Sequence, residues 1–346
     1  MNQLKFIAGT KEEIPAKYLD QLFVLMLANY KEILKDDPPE IEYYRKTWSL
    51  GVSSEQKLIY VLVINQEERV LGYSYGSWNI KYDNLDKGYF WVHIAKSERR
   101  KGLGKRTLKE LITKFPQQVT GLATEVFTET DGVLFIESLK MKKNYEEVLS
   151  STDLTKFDPE EVKKESRKLK QQALEKGYEI IYIDNMDHVF HLDFIKYVEM
   201  AQEIWNDMPL EELTYEDEVL SVERYQEMIQ RKVLSGNHIM TFVAIHKETN
   251  EQAGMTATRI NEHHSEIAHQ QDTGVVRSHR GNGLGLALKY QMLEKLLIET
   301  KAIKWQTGNA GSNEHMLRIN DILNHEPFVN IPVYEMEKSK LLEKLD

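Results

Sequence analysis

Two short loops carry the residue types and spacing from which chemistry in this chain would start. Arg280-Gly281-Asn282-Gly283-Leu284-Gly285 follows the strand-like run Thr273-Gly274-Val275-Val276 and opens an apolar-periodic helix. Arg99-Arg100-Lys101-Gly102-Leu103-Gly104 follows Trp91-Val92-His93-Ile94-Ala95 in the same way. Small residues let the backbone come close to a diphosphate and reach positive φ, and a helix N-terminus adds unpaired N–H groups and partial positive charge. Each copy is therefore suited to hold phosphate, and its recurrence at domain-length spacing marks a tandem duplication.

Competing motifs fail residue by residue. A Walker A loop needs Gly-Lys-Ser/Thr, but Gly104-Lys105 is followed by Arg106. A dinucleotide fingerprint needs a third glycine, but Gly285 is followed by Leu286, Ala287 and Leu288. Gly72-Tyr73-Ser74-Tyr75-Gly76 has the Gly-x-Ser-x-Gly spelling but falls inside the strand expected over Arg69 to Trp78 and not at a strand-to-helix turn, so it is no nucleophile elbow, and the chain has 0 cysteines, which excludes disulfides, thiolate metal sites and a cysteine nucleophile. His188 and His191, and the pair His263-His264, lack the Glu/His spacing of a zinc protease, so no metal is expected.

The elements that must position these loops repeat in order. Alternation, β-branched content and helix signals predict a mixed α/β fold in which the two halves correspond element for element. A length of 346 residues fits two such domains. Asp158-Pro159-Glu160-Glu161 starts a polar helix with Asp as N-cap and Pro at its first position. The expected division is 1–155 for an N-terminal domain, 156–177 for a helical linker and 178–346 for a C-terminal domain. The apolar run from Leu22 to Ala28 is too short to span a bilayer, and no signal pattern opens the chain, so a cytoplasmic location without membrane attachment is expected.

A net charge of −10 argues against a nucleic-acid partner. Six carboxylates (Asp207, Glu211, Glu212, Glu216, Asp217, Glu218) fall between Asn206 and Glu218 without a Lys or Arg. They form either a solvated surface or a funnel for a cationic amine. Tyr73, Tyr75 and Trp78 on the third strand could line an aromatic substrate pocket, although half-buried strands favour such residues in any case.

Arg/Gln-x-x-Gly-x-Gly/Ala between strand and helix resembles the pyrophosphate loop of the GCN5-related N-acetyltransferases, and both halves resemble that family over nearly their whole length. The similarity is strongest over 178–327, with Gln270-Gln271-Asp272-Thr273 before the loop and the run from Asn309 to Asn320 after it. It points to the bacterial tandem-domain branch. The resemblance implies two tandem acyl-CoA N-acyltransferase domains of mixed α/β (α+β) sheet type, with acetyl-CoA as cofactor. It further implies acetyl transfer to a primary amine of a small molecule or peptide, by direct attack in a ternary complex.

By the same resemblance, Val275 and Val276 would face the pantetheine arm, and Arg280, Gly281, Asn282, Gly283, Leu284 and Gly285 the pyrophosphate. Asn309 and Asn313 would lie beside the cofactor. Ile94, Ala95, Arg99, Gly102 and Gly104 would repeat the loop and strand contacts in the first half. The catalytic candidates are Asp272 and His269 as base, with Asn320 at the place of the family's acidic tyrosine, where an amide cannot donate a proton near neutral pH. The first half has Glu129 for the helix-opening Asn and Ile136 for the tyrosine, so the C-terminal domain is the expected catalyst. The alternative is a non-catalytic acyl-CoA-binding or sensing protein with a structural N-terminal domain.

Overall fold

In each unit antiparallel strand pairs lead to one parallel pair, Lys87–Ile94 with Gly121–Glu125 in the first and His264–Val275 with Lys304–Ala310 in the second. The computed structural model describes residues 4–34, 40–185 and 192–345. Close packing divides the chain into one unit of 1–147, 210–216 and 329–346 and a second of 148–209 and 217–328. The expected bounds differ from this. Residues 329–346 and 210–216 pack with the first unit, and the helix expected as a linker belongs to the second.

The first unit contains β1 (Lys5–Gly9), α1 (Leu19–Ile33), α2 (Ile41–Leu50), β2 (Gln56–Ile64), β3 (Val70–Asn79) and β4 (Lys87–Ile94). Then come α3 (Leu103–Ile112), β5 (Gly121–Glu125), α4 (Gly132–Leu139) and the start of β6 (Lys142–Asp153). Strands β1 to β4 pair antiparallel in sequence order. Strand β5 runs parallel to β4 through Lys87↔Gly121, Gly88↔Leu122 and Tyr89↔Ala123, and the pairing ends there although β4 continues to Ile94. The other edge of β5 is covered by β12 (Glu326–Glu337) in antiparallel register, Val333 opposite Glu125. Helix α10 (Lys338–Leu345), which the sequence reading did not foresee, buries Leu341 and Leu345 against the core of Leu108, Leu111, Leu122 and Ile136.

The second unit contains α5 (Pro159–Glu175), β7 (Tyr178–Asp184), α6 (Phe194–Asn206), α7 (Val222–Leu234), β8 (Asn237–His246) and β9 (Glu251–Asn261). It continues with β10 (His264–Val275), α8 (Leu284–Glu299), β11 (Lys304–Ala310) and α9 (Glu314–Ile322). Helix α6 was expected from His188, but 186–191, with His188 and His191, lie outside the described residues. Asp158 caps α5 as expected, accepting from the Glu160 N–H at 2.9 Å, and the helix is fastened to α8 where Gln291 Nε2 donates to the Ser166 carbonyl at 3.2 Å. Strand β11 pairs parallel with β10 through Ile267↔Lys304, Ala268↔Trp305 and His269↔Gln306, and the pairing again ends while both strands continue. No described helix is long and apolar enough to cross a membrane.

Candidate functional site

In the first unit the splay of β4 from β5 lines a cleft of about 400 Å³ whose walls include Val92, Ile94, Thr124 and Phe127 and whose end is the Arg99–Lys105 loop. Gly102 is the residue before α3, at φ +76°, and a Cβ built on it meets nothing within 4 Å. Its positive φ turns the chain so that the first-turn N–H groups of α3, which have no partner within the helix, open onto that space. The Ala95 N–H donates to the Leu71 carbonyl on β3 at 2.9 Å. By strand alternation Ala95 is thus turned away from the splay, while the backbone of Ile94 and Val92 faces it.

The loop arginines do something other than expected. Arg99 Nε donates to the Ile94 carbonyl at 3.0 Å, and Arg280 Nε donates to the Val275 carbonyl at 3.0 Å, so in each copy the arginine locks the end of the strand to the loop. Arg99 also pairs with Glu32 and, at 3.0 Å, with Asp131; Arg280 pairs with Asp207. Both guanidinium groups are held by carboxylates.

A second cavity, of about 860 Å³, lies over the same sheet and shares Asn29, Ile33, Trp91, Glu125 and Phe127 with the cleft. Glu125 ends β5, at the junction of the two. Burial pushes its carboxyl up to about 7; the Glu147 carboxylate adds to the rise and a hydrogen bond from Tyr89 opposes it. His93, also on the cleft, is driven down to about 3 by burial and by Arg99, so it is neutral at physiological pH. Sequence reasoning missed Glu125 because one carboxylate at the end of a short strand has no motif; the signal that could have found it was its place at the splay of the repeat.

In the second unit the sequence candidates separate. Asp272 sits at a β-bulge between Gln270 and Thr273 and is half-buried, where desolvation raises its carboxyl and the Lys232 ammonium opposes the rise. Around it the aromatic residues form packed core, with Tyr197 Oη 3.0 Å from Tyr225 Oη and Phe194 stacked on Tyr197. A Cβ on Gly274 would lie 2.4 Å from Ile204 of α6, so that helix sits directly on the strand beyond the bulge. His269 occupies the last paired position before the splay and is pushed down to about 3 by burial and by Arg259.

The loop of the second unit keeps the cradle geometry but is tied to its own surroundings. Gly281 and Gly283 have φ +78° and +79°, and their Cβ positions are open. Asn282 Nδ2 donates to Tyr178 Oη at 3.1 Å, Leu284 is buried, and a Cβ on Gly285 would meet Ile319 at 3.3 Å. The Val276 N–H donates to the Ala253 carbonyl at 3.0 Å, turning it away from the splay. Asn309 Nδ2 donates to Thr307 Oγ1 at 3.4 Å, and Asn313 caps α9 by accepting from the Met316 N–H at 3.3 Å.

Asn320 is 2% exposed, and its side-chain nitrogen and oxygen have no hydrogen-bond partner. It belongs to a polar core layer: Lys289 is fully buried, donating to Gln270 Oε1 at 3.0 Å and lying 4.6 Å from the Trp305 ring centroid. The corresponding places in the first unit are apolar, Leu108, Leu122 and Ile136. Burial pushes the Lys289 ammonium down to about 7. Because this folded value lies below the ordinary 10.5, the unfolded chain binds more protons between the two, and stability rises with pH across that window by up to about 1.4 kcal/mol per pH unit. Lys289→Met is therefore expected to raise the thermal midpoint at pH 7, with the gain shrinking toward pH 10. An equal gain at both pH values would show that the buried charge is not the cause.

Five of the six carboxylates in the acidic run engage protein partners. Asp207 accepts from Arg277 Nε at 2.6 Å, Glu211 from the Glu146 N–H at 3.3 Å, and Glu216 from the Asn84 N–H at 2.6 Å. Glu212 pairs with Lys142 at 2.8 Å and Glu218 with Arg224 at 3.3 Å. Charge already engaged in this way is a weak basis for steering an amine. Trp78 packs its ring on Phe115 at 5.3 Å, whereas Tyr73 and Tyr75 line the larger cavity.

No protein-family model matches the sequence, and no curated protein does. The fold is nevertheless shared with solved structures along nearly the entire chain. A tandem GNAT protein from the clavulanic acid biosynthesis pathway superposes with a TM-score of 0.75 at 18% identity, covering 97% of this chain and 99% of that one. A GCN5-related N-acetyltransferase from Sphaerobacter thermophilus gives 0.60 at 13% identity, covering 97% and 96%. A GCN5-related glucosamine N-acetyltransferase region of a fungal multi-domain GH3 β-N-acetylglucosaminidase gives 0.67 at 11% identity, covering 97% of this chain and 38% of that one. The architecture is thus that of the tandem GNAT fold.

Proposed function

We propose that the protein is an acetyl-CoA-dependent N-acetyltransferase acting on a primary amine, with its reaction site in the first unit and not, as the loop and flanking sequence suggested, in the second. The observation that carries this reading is Glu125, a half-buried carboxyl at the junction of a cleft that ends at the Gly102 turn and a large open cavity. The fold supports acyl-CoA as the donor, and the residues fit it. The Gly102 turn and the N-terminus of α3 would take the diphosphate, and the backbone of Val92 and Ile94 the pantetheine arm. Bound there, acetyl-CoA supplies a thioester-activated acyl group and a thiol leaving group.

The chain's own part is proton management and exclusion of water. An amine reaches the site as ammonium and must lose a proton before it can attack. Glu125, ionising near neutrality, is matched to take that proton at its carboxylate oxygen. Trp91 and Phe127 line both spaces and keep the junction apolar, which strengthens the ammonium–carboxylate contact. The amine's second proton leaves with the thiol, so no separate acid is required where Ile136 and Asn320 replace the tyrosine.

The test is thiol release from acetyl-CoA in the presence of primary amines, together with calorimetric binding of CoA. Amine-dependent release supports the enzyme. Binding without release by any amine would favour the acyl-CoA-binding or sensing alternative.

A further inference from the structure

The floor of the larger cavity is a row of rings crossing the sheet. Trp91 on β4 stands opposite Tyr75 on β3, and Tyr75 opposite Tyr60 on β2, with 6.1 Å between the Tyr60 and Tyr75 centroids. Glu125 lies beyond Trp91 on β5, so at the normal strand spacing the row runs roughly 15 Å from the carboxyl to β2. Helices α1 and α2 roof it with Tyr30, Tyr43, Tyr44 and Trp48. Trp48 joins roof to floor, its ring centroid 4.7 Å from that of Tyr60.

Charge is sparse in this space. Its carboxylates are Glu125 and Glu12, and Glu12, at the far rim, lies 3.9 Å from Lys11 and is also influenced by Lys57. A polyamine or aminoglycoside would bring several ammonium groups to a cavity with one carboxyl inside it. The phenols do not supply the missing charge, since burial raises the Tyr44, Tyr60 and Tyr75 hydroxyls far above neutrality. What the cavity offers is ring faces along its length and one ionisable group at its inner end, a match for a single cation on a flat apolar body.

Resting on the acetyltransferase reading, we infer that the acceptor is a primary monoamine carried on an elongated aromatic body, its rings along Trp91, Tyr75 and Tyr60 and its amino group at Glu125. The reaction joins the amine nitrogen to the acyl carbon and breaks the carbon–sulfur bond. One ammonium proton goes to Glu125 and another leaves on the thiol.

The test compares tryptamine and 4-phenylbutylamine with spermidine and glucosamine, by thiol release from acetyl-CoA and by calorimetric binding of each amine in the presence of CoA. The arylalkylamines should exceed the other two in kcat/KM by at least about tenfold, and Trp48→Ala should raise their KM by about tenfold while leaving the KM for acetyl-CoA unchanged. Trp48→Phe should restore most of the loss, and Tyr43→Ala provides a second variant should Trp48→Ala not fold. Preference for spermidine or glucosamine, or an unchanged arylalkylamine KM in folded variants, would overturn the inference and leave acetyl transfer intact. Arylalkylamine binding that weakens in the variants, with no thiol release for any amine, would sink acetyl transfer and keep the aromatic ligand. Absence of arylalkylamine binding overturns the inference in either case.

Discussion

Gly102→Asp is expected to weaken acetyl-CoA binding on the order of 100-fold and to remove amine acetylation, while Gly283→Asp leaves turnover within a few-fold of wild type. The two substitutions are matched controls. Both positions precede a helix at nearly equal positive φ, +76° and +79°, and at both a Cβ meets nothing within 4 Å, so the folded protein can accommodate either. Asp is among the residues that adopt this backbone region most readily. The difference lies in what each cradle serves. A carboxylate beside a diphosphate costs several kcal/mol at contact distance in a partly screened site, and a loss of roughly 2–3 kcal/mol corresponds to the stated change in affinity. At Gly102 that charge faces the end of a cleft that meets the cavity at Glu125. At Gly283 it enters a loop whose neighbouring strand is covered by α6. Measurement is by CoA calorimetry and steady-state thiol release. Loss of activity in folded Gly283→Asp, with Gly102→Asp active, would return the chemistry to the second unit.

Which half would carry the proposed reaction site is the point least legible in the sequence. Element order was readable, because it follows from periodicity and caps: α7 was expected at 222–234 and is Val222–Leu234. The loops were readable because glycine at positive φ before a helix has a specific local cause. Lys338–Leu345 was missed because an eight-residue polar segment becomes helical by burying Leu341 and Leu345, a tertiary gain rather than a local preference. The motif residues were richer around the second loop, yet Asn313 proves to be a helix cap, Asn282 a tie to Tyr178 and Asp272 a half-buried group at a β-bulge beside packed aromatic residues. Conversely, Tyr60, Tyr75 and Trp91 read as ordinary strand aromatics, and only strand register reveals that they form one row leading to Glu125. Whether a ring packs against another ring or borders an open cavity depends on how closely the covering helix approaches, which residue type does not encode.

Glu125→Gln should lower kcat by about 100-fold or more with little change in acetyl-CoA binding, since general-base contributions are of that order and the cradle is untouched. Wild-type kcat/KM should rise with pH through about 7, where the carboxyl ionises, and the variant should lack that limb. Stability should move the opposite way. The folded value lies above the ordinary 4.5, so the folded state retains the proton that the unfolded chain gives up between the two, and this contribution is full below about 4.5 and lost as pH rises through about 7. Glu125→Gln removes the cost of burying the charge, so at pH 8 the variant should be more stable than wild type by roughly 1–3 kcal/mol, with the gain fading toward pH 4. A carboxyl kept only for structure would not predict this combination of a slower, pH-insensitive reaction with a more stable protein. If kcat kept its wild-type value and its pH limb in Glu125→Gln, another group would be removing the ammonium proton, and the junction of cleft and cavity would have to be assigned to binding alone.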